Sequence, residues 1–344
     1  MRKQKAASWG VALSGVLALA GCGGNANNTD NGTSTSNVTA TDSSTGTTSD
    51  DLKSVTIGYN PAIVQPQPLI GVEEGEYAKR IPGVTFESQQ LKAGPDVVQA
   101  LRANAVQIGS SGIGPPLKAY GKDGDIVMIC GAATGGTELS VAGNSTIKTL
   151  KDLKGKTIGV NQLGSTVDAM VRYNLIKAGL TPDKDVRLIA VDPPQQADSL
   201  QRGDVDAVAA PAPWPSQAQV KANARPLLDW KTILDNGNYL AGSIYTTKAF
   251  AQAHPDFIKK FVEANKAITD DLNKDATKGN ARVLAAWSKV SKKTLPPDVA
   301  KRAFETIHFT TDAKEADLQR FADLTAQVGL SKKTDLKGFV FQAK

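Results

Sequence analysis

From about Leu52 to Lys344 the chain alternates short β-branched runs with stretches of helical period. That alternation restricts it to an α/β fold with mostly parallel sheets. The spacing predicts strands at Val55–Tyr59, Val84–Ser88, Val106–Ser110, Asp125–Cys130, Thr157–Asn161, Val186–Val191 and Asp206–Ala209. Between them, Val97, Val98 and Leu101 share one helical face, and Ala169, Met170, Tyr173 and Ile176 share another that stops at Gly179. From about Pro255 the pattern is mostly helical, with Phe257, Phe261 and Ala264 on one face and Leu318, Phe321 and Leu324 on another. Nearly 300 residues of this kind suffice for two domains with cores of their own.

A break at Thr134-Gly135-Gly136 precedes an extended segment, Glu138–Ala142, and a similar segment returns near Tyr239–Thr246. Two crossings would make residues 140–243 a second lobe inserted into a first lobe made of 52–139 and 244–344. A double hinge of that kind closes around a ligand.

The N-terminal residues have a different character. Arg2, Lys3 and Lys5 precede an apolar run, Val11–Ala20, of about half the roughly 20 residues that span a bilayer. This is the layout of a secretory signal peptide over 1–21. It ends in Leu19-Ala20-Gly21-Cys22, which resembles the bacterial lipobox and implies a lipid on Cys22 and a place on the outer face of the cell membrane. Residues 22–51 are rich in Gly, Asn, Thr, Ser and Asp and read as a flexible tether. With Cys22 acylated, Cys130 has no partner for a disulfide and reads as a small core residue.

The formal net charge is +6, and losing Arg2, Lys3 and Lys5 with the leader leaves +3. The basic residues are scattered, so nucleic acid is not an expected partner. No cluster has metal-ligand spacing and no cofactor is implied. Gly155-Lys156-Thr157 is not a P-loop, because Leu150 stands where the first glycine belongs and the segment precedes its strand. His254 and His308 stand alone, and there is no G-x-S-x-G elbow. The chain does not read as an enzyme.

Ligands in open parallel sheets sit beyond the carboxyl ends of strands. Three turns fall there: Asn60-Pro61 after the first strand, Ser111-Gly112 before Gly114-Pro115-Pro116, and Ser165-Thr166 in lobe two. The last two open helices, whose free N–H groups bind anions without Lys or Arg. Ser165 is equally an N-cap, with Asp168 three residues on, and both roles can hold together. Asn60 is a ligand contact or a turn residue. Pro211-Ala212-Pro213-Trp214-Pro215 reads as a stiff loop, and Trp214 either walls the ligand or packs on the hinge.

Several stretches resemble the solute-binding proteins of the nitrate, sulfonate and taurine ABC import family. They are Leu150–Val160 with the Gly164-Ser165 turn, Lys177–Leu180, Pro193-Pro194 with Ala197, and Arg202–Ala207. Ile108-Gly109-Ser110 with Pro115-Pro116, and Ala93-Gly94-Pro95, are similar to the aliphatic sulfonate branch. The resemblance implies a type II periplasmic-binding-protein fold of two α/β lobes, a monomer, and docking on permease transmembrane subunits. It places the anion against Ser111, Gly112, Ser165 and Thr166. It departs at the end of lobe two, where Pro211 and Ala212 replace an aromatic and an acid. Loss of the acid counts against taurine and favours an aliphatic sulfonate or similar organic anion. Two other roles share such a fold: a lipid-anchored ligand sensor, and a protein related to thiamin-pyrimidine synthesis.

Overall fold

A computed structural model describes residues 52–342, so the leader, the tether and Cys22 lie outside the described residues. The first lobe starts with β1 (Ser54–Tyr59), α1 (Pro66–Glu73), α2 (Glu76–Arg80), β2 (Thr85–Gln90) and α3 (Gly94–Arg102). It continues through β3 (Ile108–Ser111), α4 (Gly114–Asp123) and β4 (Ile126–Gly135). The chain then enters the second sheet: β5 (Thr137–Ala142), β6 (Thr157–Val160), α5 (Thr166–Lys177), β7 (Arg187–Ala190), α6 (Pro193–Arg202), β8 (Ala207–Pro211), α7 (Trp214–Lys221) and β9 (Ala224–Leu228). It returns with β10 (Leu240–Thr247), α8 (Lys248–Ala253), α9 (Pro255–Lys274), α10 (Ala276–Ser291), α11 (Pro297–Phe304), β11 (Ile307–Phe309) and α12 (Glu315–Gln327).

The two sheets repeat one plan. Their orders are β11-β4-β10-β3-β1-β2 and β7-β6-β8-β5-β9. In each, a strand arriving from the other lobe (β10 or β5) runs antiparallel beside β3 or β8, and the pairs β1–β2, β1–β3, β6–β7 and β6–β8 are parallel. This is the two-lobe periplasmic-binding-protein fold. Its central strands are fully buried because helices cover both faces of a parallel sheet: Val55, Ile57, Ile108, Ile158 and Val160 are all 0% exposed. In α9 the apolar positions Phe257, Phe261, Ala264, Ile268 and Leu272 recur at helical spacing and all face the core.

The predicted strands and C-terminal helices appear within a few residues of their expected places. Boundaries between the lobes differ. Thr137, Glu138 and Leu139 already pair in the second sheet, whereas Leu240, Gly242 and Ser243 pair with β4 in the first. We therefore place the insert at residues 137–239 in place of 140–243. The outgoing turn is made by Gly135 and Gly136, at φ +79° and +76°. A Cβ on Gly135 would stand 2.3 Å from the Thr306 carbonyl oxygen. The return runs through residues 229–239 to Tyr239, whose hydroxyl accepts the Thr137 N–H at 3.0 Å and ties the two connections together. The stiff-loop reading of 211–215 gives way as well. Pro211 still pairs in β8, and Trp214 already opens α7, with Pro215 at a first-turn position that lacks no needed donor.

Glu138 is buried in β5 at 5% exposure, and among the described residues its one hydrogen bond to a side chain comes from Gln219 Nε2 at 2.8 Å. Burial pushes its carboxyl up to about 7, the Gln219 bond opposes this, and the charge of Asp229 adds to it. Between the ordinary glutamate value and about 7 the folded state keeps a proton that the unfolded chain has lost, so stability falls as pH rises through that window. E138Q is expected to remove that slope in urea titrations at pH 5 and pH 8 and to be the more stable protein at pH 8. An unchanged slope would mean that Glu138 is ionised in the fold.

Candidate functional site

With both sheets built on one plan, the carboxyl ends of β1, β3, β6 and β8 point to a common cleft, the usual ligand position in such sheets. The cleft has two compartments. The outer chamber has a volume of about 480 Å3. Pro61, Leu91, Pro193, Pro194, Pro211 and Trp214 give it apolar walls, and Lys92, Asp192 and Lys293 bring charge. The inner pocket, of about 20 Å3, has room for about one water. Gly94, Gly112, Thr137, Ser165 and Thr166 are among its lining residues. Asn60, Asn161 and Pro211 line both compartments and so mark their junction.

The inner pocket is small because the lobes touch there. Gly114 N–H donates to Thr166 Oγ1 at 2.9 Å. Gly112 allows that approach, since a Cβ on it would lie 2.3 Å from Thr166 Oγ1. Farther out, Gln162 Nε2 donates to the Asp96 carboxylate at 3.2 Å, and Trp214 packs edge-on against Trp287 with ring centres 5.9 Å apart. Lys293 Nζ lies 5.6 Å from the centre of the Trp214 ring.

The two helix openings differ in what they offer. In α4, Pro115 and Pro116 have no N–H, and Gly114 N is held by Thr166. That first turn therefore presents no free donor. In α5 the Ser165 hydroxyl caps Asp168 N at 3.2 Å, and Ala169 N bonds Ser165 O. Thr166 N and Val167 N have no partner among the described residues and border the inner pocket. Asp168 anchors this helix from behind. It accepts from Gly164 N and Arg172 Nε at 2.7 and 2.9 Å, while burial raises its carboxyl above the ordinary aspartate value.

The six residues expected at the ligand fall into place unevenly. Asn60, Gly112, Ser165 and Thr166 line the inner pocket, and Trp214 both walls the chamber and packs between the lobes. Ser111 turns away: it is buried, bonds the Tyr245 hydroxyl at 2.7 Å, and lines neither compartment. Thr166 contributes its hydroxyl to the lobe contact, leaving its amide for a ligand. Asn161, Lys92 and Lys293 were missed. Asn161 carried a readable signal, because it follows β6 as Asn60 follows β1. Lys293 comes from the α10–α11 loop, some 200 residues from Lys92, and no local pattern announces it. Among the described residues no group of three or more His, Cys, Asp and Glu is placed to hold a metal. Cys130 is buried, which pushes its thiol up to about 12 and leaves it a poor nucleophile.

An aliphatic sulfonates-binding protein of Escherichia coli K12, itself assigned on inference, is 29% identical over 276 residues, covering 77% of this chain and 82% of the relative. A protein of the same description from Bacillus subtilis 168 is 25% identical over 286 residues, 77% of this chain and 83% of the relative. In fold, the chain is similar to the alkanesulfonate-binding protein SsuA from Xanthomonas axonopodis pv. citri bound to MOPS. The TM-score is 0.71 at 24% identity, over 85% of this chain and 99% of that one. The NMT1-like family pattern matches residues 49–288, and the chain belongs to that family.

Proposed function

We propose that this chain is the extracytoplasmic solute-binding component of an ABC importer, and that its cleft takes a small organic anion of the aliphatic sulfonate class. The observation that carries this reading is the two-part cleft. Neutral donors, the Thr166 and Val167 amides and the two asparagines, meet at the mouth of an inner pocket too small for a whole ligand. Beyond them lies an apolar-walled chamber of about 480 Å3. An oxyanion head at the junction leaves its tail against Pro61, Pro194 and Trp214. Nitrate would leave that chamber unfilled. Asp192 is the one carboxylate lining it, against Lys92 and Lys293, so the charged residues of the wall sum to a net positive site. The names of the relatives support the same class of ligand. Handing over the solute requires permease transmembrane subunits as partners. A monomer held by a lipid on Cys22, on the outer face of the membrane, completes the reading.

Lobe closure is part of the mechanism. At the inner pocket the opening of α5 in one lobe meets the opening of α4 in the other, so opening the cleft breaks the Gly114–Thr166 bond and frees both groups.

A thermal-shift series of methane-, butane- and octanesulfonate, taurine and nitrate tests the ligand class. Butanesulfonate is expected to raise the melting point most, with a stabilisation of about 2.7 kcal/mol at a hundredfold excess over Kd. A shift with nitrate alone, or none with any sulfonate, would contradict the reading. G112A is expected to weaken butanesulfonate binding by roughly tenfold or more, because its methyl group props the lobes apart at about 1.4 kcal/mol per decade. Wild-type affinity in G112A would mean that closure at this contact is not needed. Replacing Cys22 with Ala should release the protein from membranes into the soluble fraction, and retention after a salt wash would exclude the lipid anchor.

A further inference from the structure

Asn60 and Asn161 stand at matching places in the two lobes, each one residue beyond the corresponding strand, β1 or β6. Both line the junction of the two compartments. A carboxamide offers one acceptor oxygen and two N–H donors, so which end faces the ligand decides what it selects. Here the oxygen of each is held from behind. In lobe two, Ser165 Oγ accepts the Asp168 N–H at 3.2 Å as the cap of α5. Its own proton is then left to donate, and it goes to Asn161 Oδ1 at 2.7 Å. In lobe one the Ser110 hydroxyl donates to Gln65 Oε1 at 2.5 Å, and Gln65 Nε2 donates to Asn60 Oδ1 at 3.5 Å. Gln65 and Ser110 are both 0% exposed.

We infer that Asn60 and Asn161 form a matched donor-only pair, one from each lobe, that selects a ligand head made only of acceptors. Ser165, Gln65 and Ser110 are positioning residues: they set the direction of the pair without touching the ligand through these side-chain bonds. The cap of α5 thereby has a second consequence, since the hydroxyl that holds the helix also points Asn161 Nδ2 to the cleft. An ammonium head, which has donors and no acceptor, would be rejected at the junction, whereas a sulfonate presents three acceptor oxygens. This inference rests on the anion reading above and adds the residues that enforce it.

Titration calorimetry of 1-butanesulfonate against the purified full chain tests it. N60L and N161L are each expected to lose roughly tenfold or more in affinity, the range for one hydrogen bond to a charged group. S165G removes the hydroxyl, yet glycine is an acceptable N-cap, so its melting temperature should stay near wild type. Its affinity should still fall by roughly tenfold, and S165T should restore it. Full affinity in N161L or in S165G would overturn the assignment, as would a loss in S165G that S165T does not restore. Should the wild type itself bind no sulfonate, the anion reading fails and the pair falls with it. Wild-type binding with unaffected variants removes the pair alone.

Discussion

The hydrogen bond from Gly114 N–H to Thr166 Oγ1 joins the openings of two helices that belong to different lobes. Much of the site follows from it. It needs a residue without a side chain at Gly112, and it closes the inner pocket to about the size of one water. With Pro115 and Pro116 beside it, it leaves α4 without a free donor, so the burden of holding an anion moves to α5 and to the asparagines. On the proposed reading, a head group stops at the Asn60–Asn161 junction and the rest of the ligand lies in the outer chamber.

Holding an anion mainly with neutral donors suits a protein that must release it. Burying a fixed positive charge opposite a sulfonate would bring a large desolvation penalty each time the cleft closed over it. Neutral amide donors lose less on leaving water, and water takes the ligand's place at each N–H when the cleft opens. Lys92 and Lys293 are exposed and reach the chamber from its edges, where they add attraction that salt screens. The same economy appears in the hinge. Gly135 and Gly136 make the outgoing turn, and the Tyr239–Thr137 bond ties it to the returning segment.

Much of the fold was legible because parallel strands buried on both faces announce themselves as short β-branched runs. The helices of the C-terminal third kept their period for the same reason. The lobe boundaries were less clear, since β10 is buried along nearly its whole length and its sequence carries no mark of where the chain re-enters the first lobe. Asn60, Gly112, Ser165 and Thr166, named from strand-end turns, all line the inner pocket. Ser111 lines neither compartment: a hydroxyl at a strand end points to one face or the other, and here it meets Tyr245. The reading of Pro115-Pro116 as part of an anion-binding helix opening overlooked that prolines have no N–H to give. Lys293 lay beyond reach because only tertiary packing brings the α10–α11 loop to the cleft.

The most direct test is a crystal structure of the protein with a brominated alkanesulfonate, located by its anomalous signal. The account predicts sulfonate oxygens within hydrogen-bond distance of Asn60 Nδ2, Asn161 Nδ2 and the Thr166 and Val167 amides, with the bromine in the chamber beside Trp214. A sulfonate bound instead to Lys92 and Lys293 at the rim, with its chain directed inward or into solvent, would contradict it.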